Sequence, residues 1–174
     1  MVNRKIILEV VSIFCLFLFG LTACSSSNNQ AFIAKDFGST PSLINDLQRQ
    51  GVQVVHLGQR FRVILPTDIL FKPATTQLKT KYAKTVIVPL AQLIQNSQTQ
   101  TAVTVTGYTD NVGSGVTQKK LAKQYATTVA AFLWAQGIPL RQMKIVGDGN
   151  QNRVASNRPS MSYYNRRVEV EFWG

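Results

Sequence analysis

Hydrophobic and polar positions change their period several times along the chain, and each change predicts an element. Residues 52–57 and 60–65 are rich in β-branched and apolar side chains and flank Gly58-Gln59, which predicts a β-hairpin. Residues 103–107 alternate valine or glycine with threonine, which predicts another strand. Two further strands are predicted at residues 144–147 and 168–172, and the last alternates valine with glutamate to give one polar face.

Three stretches have helical spacing instead. Residues 41–47 begin with a proline and place leucine or isoleucine on one side, which predicts a short helix that ends at Gly51. Residues 77–95 also predict a helix, which Pro89 should kink or split because proline lacks a backbone donor. Residues 118–136 contain neither proline nor glycine and predict a long helix. Strands alternating with two long helices predict the α+β class, a mixed sheet with helices packed on one face.

The N-terminus has the pattern of a signal peptide. Arg4 and Lys5 form a positive start, and residues 10–21 are mostly apolar. This apolar run is too short to span a bilayer comfortably, and its length is typical of a signal-peptide core. A cysteine, Cys24, stands where the small-residue cleavage site should be. An uncleaved membrane anchor with an ordinary cysteine is the alternative interpretation.

The residues before Cys24 indicate a lipid anchor. Leu21-Thr22-Ala23-Cys24 resembles the bacterial lipobox, and the resemblance implies that the signal peptide, residues 1–23, is removed and that Cys24 is acylated. Ser25 follows the cysteine instead of aspartate, which resembles the sorting pattern for the outer membrane. We therefore expect outer-membrane lipid to be a partner through Cys24, with the domain on the periplasmic face.

The remaining chain divides into a tether and a domain. Residues 24–50 comprise the lipidated cysteine, a polar linker and the short helix, and residues 51–174 form the domain. Loss of the signal peptide removes Cys15, and lipidation occupies Cys24, so we expect no disulfide bond.

Charge narrows the classes of partner. The net charge is +11, and a strongly basic protein favours an anionic partner: nucleic acid, lipid headgroups or an acidic cell-wall polymer. The sequence lacks an RNP-type aromatic motif and zinc-finger spacing, so we expect no nucleic-acid partner. It also lacks a Ser/His/Asp arrangement, metal-ligand spacing and a phosphate-binding loop. We therefore expect no enzymatic activity, no metal and no cofactor, and the lone His56 is interpreted as structural or as a surface residue.

Two separated motifs point to a known family. Gly107-Tyr108-Thr109-Asp110-Asn111-Val112-Gly113 resembles the G-H-T-D-x-x-G motif of the OmpA-like C-terminal domain, by which many bacterial envelope proteins hold peptidoglycan. Asn165-Arg166-Arg167-Val168-Glu169-Val170 resembles the closing strand of that domain. The helix between them matches the family spacing at Gln118, Leu121, Ala122, Tyr125, Ala126 and Val129.

The resemblance implies a ligand and its chemistry. Peptidoglycan of most Gram-negative bacteria contains diaminopimelate, whose free end is a zwitterion; an ammonium binds a carboxylate, and a carboxylate binds a guanidinium. In the family, the aspartate of the T-D motif and an arginine of the next helix bind the ammonium and the carboxylate of this zwitterion. Asp110 matches the aspartate, but Tyr125 stands where the family has arginine, and Lys119, Lys120, Lys123 and Arg158 are candidates to supply the charge. The candidate peptidoglycan-binding residues are Asp110, Thr109, Asn111, Gly113, Tyr125, Arg158 and Arg166.

Two hypotheses for function stay open at this point. In the first, the domain binds peptidoglycan and links the outer membrane to the cell wall. In the second, it is a scaffold within an envelope-spanning machine, and its partners are other envelope or secretion-complex proteins. The segment ATTVAAFLWAQGI, residues 126–138, and the missing arginine resemble the small OmpA-like lipoproteins of Dot/Icm type IVB secretion systems, called IcmN or DotK.

Overall fold

The computed structural model describes residues 39–97 and 102–174. The signal peptide, Cys24 and the linker that follows it lie outside the described residues, so their interpretation stays a prediction. Every helix within the described residues is too short or too polar to cross a membrane.

A five-stranded sheet forms the centre of the domain, in the order β1-β2-β5-β3-β4. The strands are β1 (Gln53–Leu57), β2 (Arg60–Pro66), β3 (Val103–Tyr108), β4 (Met143–Gly149) and β5 (Arg167–Trp173). β3 and β4 are parallel, and the other three neighbouring pairs are antiparallel. The predicted mixed sheet is confirmed, and so is the hairpin, whose strands pair from Gln53 with Ile64 to Leu57 with Arg60.

The helices follow the predicted pattern with one local irregularity. They are α1 (Thr40–Arg49), α2 (Thr67–Leu70), α3 (Thr80–Tyr82), α4 (Val88–Asn96) and α5 (Gly115–Ala135), with 3-10 turns at Leu140–Gln142 and Ser162–Asn165. A π-helical turn, Ala83–Ile87, joins α3 to α4. This turn lies directly before Pro89, where the missing backbone donor interrupts the α-helical ladder, so the predicted break is confirmed.

The core lies between the helices and one face of the sheet. Val63, Val105 and Val170 are paired across three strands and are fully buried. Leu47 of α1, Leu90 of α4 and Leu133 of α5, all fully buried, belong to the same cluster. The predicted packing of helices on one face therefore describes this sheet.

Two glycines let α5 lie directly on the sheet. Gly107 of β3 pairs with Gly147 of β4. A Cβ on Gly107 would stand 1.9 Å from the carbonyl oxygen of Ala122, and one on Gly147 would stand 2.5 Å from the carbonyl oxygen of Lys119. Because neither distance admits a carbon atom, no side chain fits between α5 and these two strands.

The start of α5 differs from the sequence prediction. The helix begins at Gly115 instead of Gln118, because Ser114 acts as its N-cap. The Oγ of Ser114 accepts a hydrogen bond from the backbone N–H of Thr117 at 3.3 Å. This bond satisfies one of the helix's free donors and offsets the poor helix propensity of Gly115.

Gly107→Ala tests the close approach of α5. We expect the substitution to lower the free energy of unfolding by about 3 kcal/mol or more, because the added methyl group overlaps the backbone of α5. Urea unfolding followed by circular dichroism measures the change. The control is Gly115→Ala, whose Cβ would meet nothing within 4 Å, and which should not lower stability, because alanine favours a helix over glycine. Equal midpoints for both variants would show that α5 can move away from β3 without cost.

Candidate functional site

The candidate site lies where several loops meet at one edge of the sheet. Antiparallel β2 and β5, and parallel β3 and β4, bring the ends of β2, β3 and β4 to the start of β5. Asp68 lies in α2, which follows β2 directly, Asp110 lies in the loop that leaves β3, and Arg166 is the residue before β5. This topology places two carboxylates and a guanidinium together although 98 residues separate Asp68 from Arg166 in the chain.

Arg166 bridges the two carboxylates. Its Nη1 donates to Oδ2 of Asp110 at 2.8 Å, its Nε donates to Oδ1 of Asp68 at 2.9 Å, and its Nη2 also contacts Asp68. Thr67 holds the backbone of Arg166, because its N–H and its hydroxyl both donate to the Arg166 carbonyl oxygen, at 3.0 and 3.1 Å. We call these three charged residues the Asp68–Arg166–Asp110 cluster.

The cluster has a net negative charge and is partly open to solvent. The side chains of Asp110, Arg166 and Asp68 are 14%, 32% and 50% exposed. Hydrogen bonding to Asp68 raises the pKa of Arg166 further above its ordinary value, burial lowers it, and hydrogen bonding to Asp110 raises it again. Two carboxylates share one guanidinium, so the arrangement attracts a further cationic group.

Local bonds shape the loop that contains Asp110. The Oδ1 of Asp110 accepts from the backbone N–H of Val112 at 3.3 Å, an Asx-type turn, and Gly113 adopts a positive φ of 84°. Buried Gln118 donates through Nε2 to the carbonyl oxygen of Gly113 at 2.7 Å. Gln118, which stands at the position of the family's asparagine, therefore holds the loop against the start of α5.

Thr109 has an unused hydrogen-bonding group. Its backbone N–H donates to the carbonyl oxygen of Gly149 at 2.8 Å and ties the loop to β4. Its Oγ1 is buried and has no hydrogen-bond partner among the described residues. A buried hydroxyl without a hydrogen-bond partner destabilises a folded protein by about 1–3 kcal/mol. The Thr109 hydroxyl, next to Asp110 in the chain, can therefore still form a hydrogen bond with a ligand.

Tyr125 lies beside the cluster. Its ring packs edge-on against buried Phe71, with 4.7 Å between centroids, and the residue is half-buried. Burial raises the pKa of its phenol, and the negative charge of Asp68 raises it too, while Arg166 opposes the shift. The phenol is therefore neutral at physiological pH and contributes a hydrogen-bonding hydroxyl where the family has a charge.

The other sequence candidates take up separate places. Asn111 is exposed on the turn after Asp110. Arg158 is exposed in the loop before β5, where its backbone N–H bonds to Ser156, and the structure gives its side chain no contact with the cluster. Lys120 and Lys123 line a groove beside Thr76 on the outer side of α5. Arg166 thus provides the guanidinium that contacts Asp110.

The neighbouring arginine is a core residue. Arg167 is 3% exposed, and its Nε donates to Oε1 of Glu169 at 2.7 Å. Its Nη2 donates to the carbonyl oxygen of Asn152 at 3.0 Å, and its guanidinium lies 3.9 Å from the ring centroid of Tyr108. The predicted polar face of β5 is present, but Glu169 on it is buried, whereas the side chain of Glu171 is 30% exposed.

One amide organises the long loop before β5. Buried Asn165 accepts through Oδ1 from the backbone N–H groups of Val154 and Ala155, each at 3.0 Å. Its Nδ2 donates to the Ala155 carbonyl oxygen and to Oδ1 of Asn157, also at 3.0 Å. The loop is folded around this side chain, so Arg166 emerges from a defined backbone.

Asp68 is the site residue that sequence reasoning missed. Residues 66–71, where it lies, contain neither of the two motifs that carry the family resemblance. One signal was present: Asp68 is the only acidic residue between Asp46 and Asp110, and it follows directly on a predicted strand.

A family model and two curated relatives match the sequence of this domain. The model described as "OmpA family" matches residues 70–167. The chain belongs to the OmpA family. "Probable lipoprotein YiaD" of Escherichia coli is 31% identical over 129 residues, which cover 74% of this chain and 58% of that protein. "Peptidoglycan-binding protein ArfA" of Mycobacterium bovis is 44% identical over 69 residues, which cover 39% of this chain and 21% of that protein.

A solved structure supports the fold. The cell wall anchor of the type VI secretion system (T6SS) from Pseudomonas aeruginosa superimposes with a TM-score of 0.67 at 24% identity, over 78% of this chain and 96% of that one. The names of these proteins describe a probable lipoprotein, a peptidoglycan-binding protein and a cell wall anchor. The chain spans little more than half of YiaD and a fifth of ArfA.

Replacing Arg166 and Arg167 one at a time distinguishes the contribution of the Asp68–Arg166–Asp110 cluster to stability from that of the buried Arg167–Glu169 pair. Arg167→Gln should lower the free energy of unfolding by about 3 kcal/mol, because it removes the buried hydrogen-bonded partner of Glu169 and leaves only Arg62, whose Nε lies 3.8 Å from the carboxylate. Arg166→Gln should lower it by less than about 1 kcal/mol, because that pair is partly exposed. Chemical unfolding of the two variants measures both values. Equal losses would show that the Asp68–Arg166–Asp110 cluster holds the fold together.

Tyr108 predicts a loss of stability at alkaline pH. Burial and the nearby charge of Glu169 raise its pKa to about 12, above the ordinary value of about 10. Between these values the unfolded chain loses the phenol proton and the folded chain keeps it. Stability should therefore fall as pH rises from 10 to 12, by up to about 1.4 kcal/mol per pH unit. Urea unfolding across this range should show a shallower fall for Tyr108→Phe, and an unchanged slope would contradict the assignment.

Proposed function

We propose that this protein is an outer-membrane lipoprotein whose OmpA domain binds peptidoglycan. The observation that supports it is the Asp68–Arg166–Asp110 cluster, a partly open group of two carboxylates and a guanidinium at the loop edge of the sheet. Similarity to a probable lipoprotein and to a peptidoglycan-binding protein supports the same assignment. Anchoring through Cys24 belongs to the proposal.

The cluster fits the zwitterionic end of diaminopimelate. The ligand's ammonium is attracted by the excess carboxylate and binds Asp110, while its carboxylate binds the Arg166 guanidinium. In the free protein, Arg166 already hydrogen-bonds to both Asp68 and Asp110. The ligand replaces the pair between Arg166 and Asp110 with two pairs, one between Arg166 and the ligand carboxylate and one between Asp110 and the ligand ammonium. The protein then acts as a binding module, without bond-making chemistry.

Tyr125 weakens this site relative to one with a second cation. A charge-assisted hydrogen bond contributes about 1.5–3 kcal/mol, and the neutral phenol of Tyr125 forgoes it. The corresponding loss is about tenfold to a hundredfold in affinity. We therefore propose an affinity suited to many weak contacts along the wall, with Arg166 as the main cation.

Retention on purified diaminopimelate-type peptidoglycan tests the proposal. The full chain in detergent is assayed at about 0.1 M and about 1 M salt, where the Debye length falls from ~10 Å to ~3 Å, because a net charge of +11 also gives non-specific retention. Asp110→Ala should abolish the salt-resistant fraction. Asp148→Ala is the matched control, since it removes a carboxylate from the same edge of the sheet outside the cluster, and it should bind like wild type.

Tyr125→Arg tests the position of the missing charge. We expect retention to tighten about tenfold to a hundredfold, because a guanidinium gains the ligand carboxylate. Gln124→Arg adds the same charge at an exposed neighbouring position and should leave the salt-resistant fraction unchanged. Wild-type protein that washes off completely at high salt, with Asp110→Ala indistinguishable from it, would reject peptidoglycan binding by this site.

The second candidate function is a scaffold within an envelope-spanning secretion machine of the Dot/Icm type. The observation that favours it is Tyr125, whose ring packs on Phe71 and replaces a ligand-binding charge with a packing residue. This assignment rests on residues 126–138 and on that replacement, whereas the family match and the relatives support only the OmpA domain. Under this proposal, Asp110→Ala leaves assembly with other envelope proteins intact.

A further inference from the structure

The two edge strands of the sheet, β1 and β4, differ in how well they are protected against pairing with a strand of another protein. β1 pairs only with β2 and β4 only with β3 among the described residues. β4 carries Lys144, and its pairing with β3 is interrupted by a register shift between Gly107 and Tyr108. Charged residues and irregularities of this kind prevent an edge from accepting another strand.

β1 lacks these protections. Its sequence, QVVHL, contains no proline, lysine or acidic residue, and its pairing with β2 is unbroken from Gln53 to Leu57. Val55 is 37% exposed and Leu57 is 72% exposed. Since strand residues two apart share a face, Gln53, Val55 and Leu57 lie on one face of β1. They lie beside a row of backbone groups that has no partner strand within residues 39–97 and 102–174.

An apolar cavity continues this surface. It has a volume of about 370 Å³ and begins at Gln53, beside the paired Ile64. The exposed pair Tyr163 and Tyr164, whose rings are tilted by 32° with 4.0 Å between their centroids, forms another part of its wall. The remaining lining residues are Gly51, Pro66, Asp68, Ile69, Val154 and Arg167. A side chain extending from a strand beside β1 would meet the mouth of this cavity at Gln53.

We propose that the β1 edge and this cavity bind an extended segment of a partner protein, apolar at alternate residues and acidic overall. The partner's backbone would hydrogen-bond to the free side of β1, as in β-strand addition. Its alternate apolar side chains would cover Val55 and Leu57, and the side chain nearest Gln53 would enter the cavity. The cavity shares Asp68 with the Asp68–Arg166–Asp110 cluster, but neither Asp110 nor Arg166 lines it, so the inference concerns a partner other than the wall.

Charge argues for an acidic partner over a second copy of this chain. The net charge of +11 repels copies of the chain and attracts an acidic segment. Arg60, opposite Leu57, places its guanidinium 4.7 Å from the ring centroid of Trp173. Arg60 forms no ion pair with the described carboxylates, whereas the neighbouring Arg62 pairs with Glu171 at 2.7 Å. Arg60 therefore adds positive charge beside the β1 edge, which attracts an acidic segment at longer range.

Hydrogen–deuterium exchange with defined peptides tests the proposal on the full chain in detergent. The probe is the acetylated peptide TVEVTVEVT, and the controls are TVEVPVEVT, which breaks the added strand, and TVKVTVKVT, which reverses its charge. We expect only the first peptide to slow exchange in β1. Val55→Lys and Leu57→Lys should each weaken its binding at least tenfold. Gln124→Lys, which adds the same charge on α5, should not weaken it.

Three outcomes would overturn the proposal. The first is unchanged exchange in β1 at saturating peptide. The second is protection of β1 that rises with protein concentration alone, together with a dimer in analytical ultracentrifugation, which would assign the edge to a second copy. The third is protection in the free monomer that disappears when residues 31–37 are replaced by glycine and serine, which would assign it to the chain itself. Asp110→Ala should retain peptide binding, so failure of wall binding and failure of this inference are distinguishable.

Discussion

The contact between α5 and the two glycines of β3 and β4 is the constraint on which the rest of the domain depends. Because Gly107 and Gly147 have no side chains, the backbone of α5 reaches the sheet itself. That position sets Tyr125 against Phe71 and draws the Asp110 loop tightly into the start of the helix through Gln118. The geometry of the candidate site is therefore a consequence of backbone packing several residues away.

Arg166 and Arg167 show how one step along the chain separates two roles. Arg167 begins β5, and its side chain is covered and paired with Glu169, so its charge stabilises the fold. Arg166 precedes the strand, where Thr67 holds its carbonyl oxygen and its guanidinium faces Asp68 and Asp110. A partly exposed guanidinium between two carboxylates can exchange partners with a ligand, whereas a buried pair cannot do so without a large desolvation cost.

The positions of the arginines and lysines distinguish specific binding of a ligand from non-specific attraction of anionic polymers. Every ion pair among residues 39–97 and 102–174 uses an arginine, and the lysines form none. The lysines of α5, such as Lys120 and Lys123, therefore add an unpaired positive field to the surface. Such a field draws anionic polymers at long range and is screened by salt, while the cluster acts at contact distance.

The sequence by itself determined the class of fold, the hairpin, the break before Pro89 and the family, because these depend on local periodicity, on proline chemistry and on two short motifs. It also singled out Asp110 and the replacement at Tyr125. Only the tertiary structure brought Asp68 to Arg166, since residues so far apart in the chain meet through strand order. Burial of Glu169 and the openness of β1 were likewise decided in three dimensions, because alternation assigns a side chain to a face and does not show what covers that face.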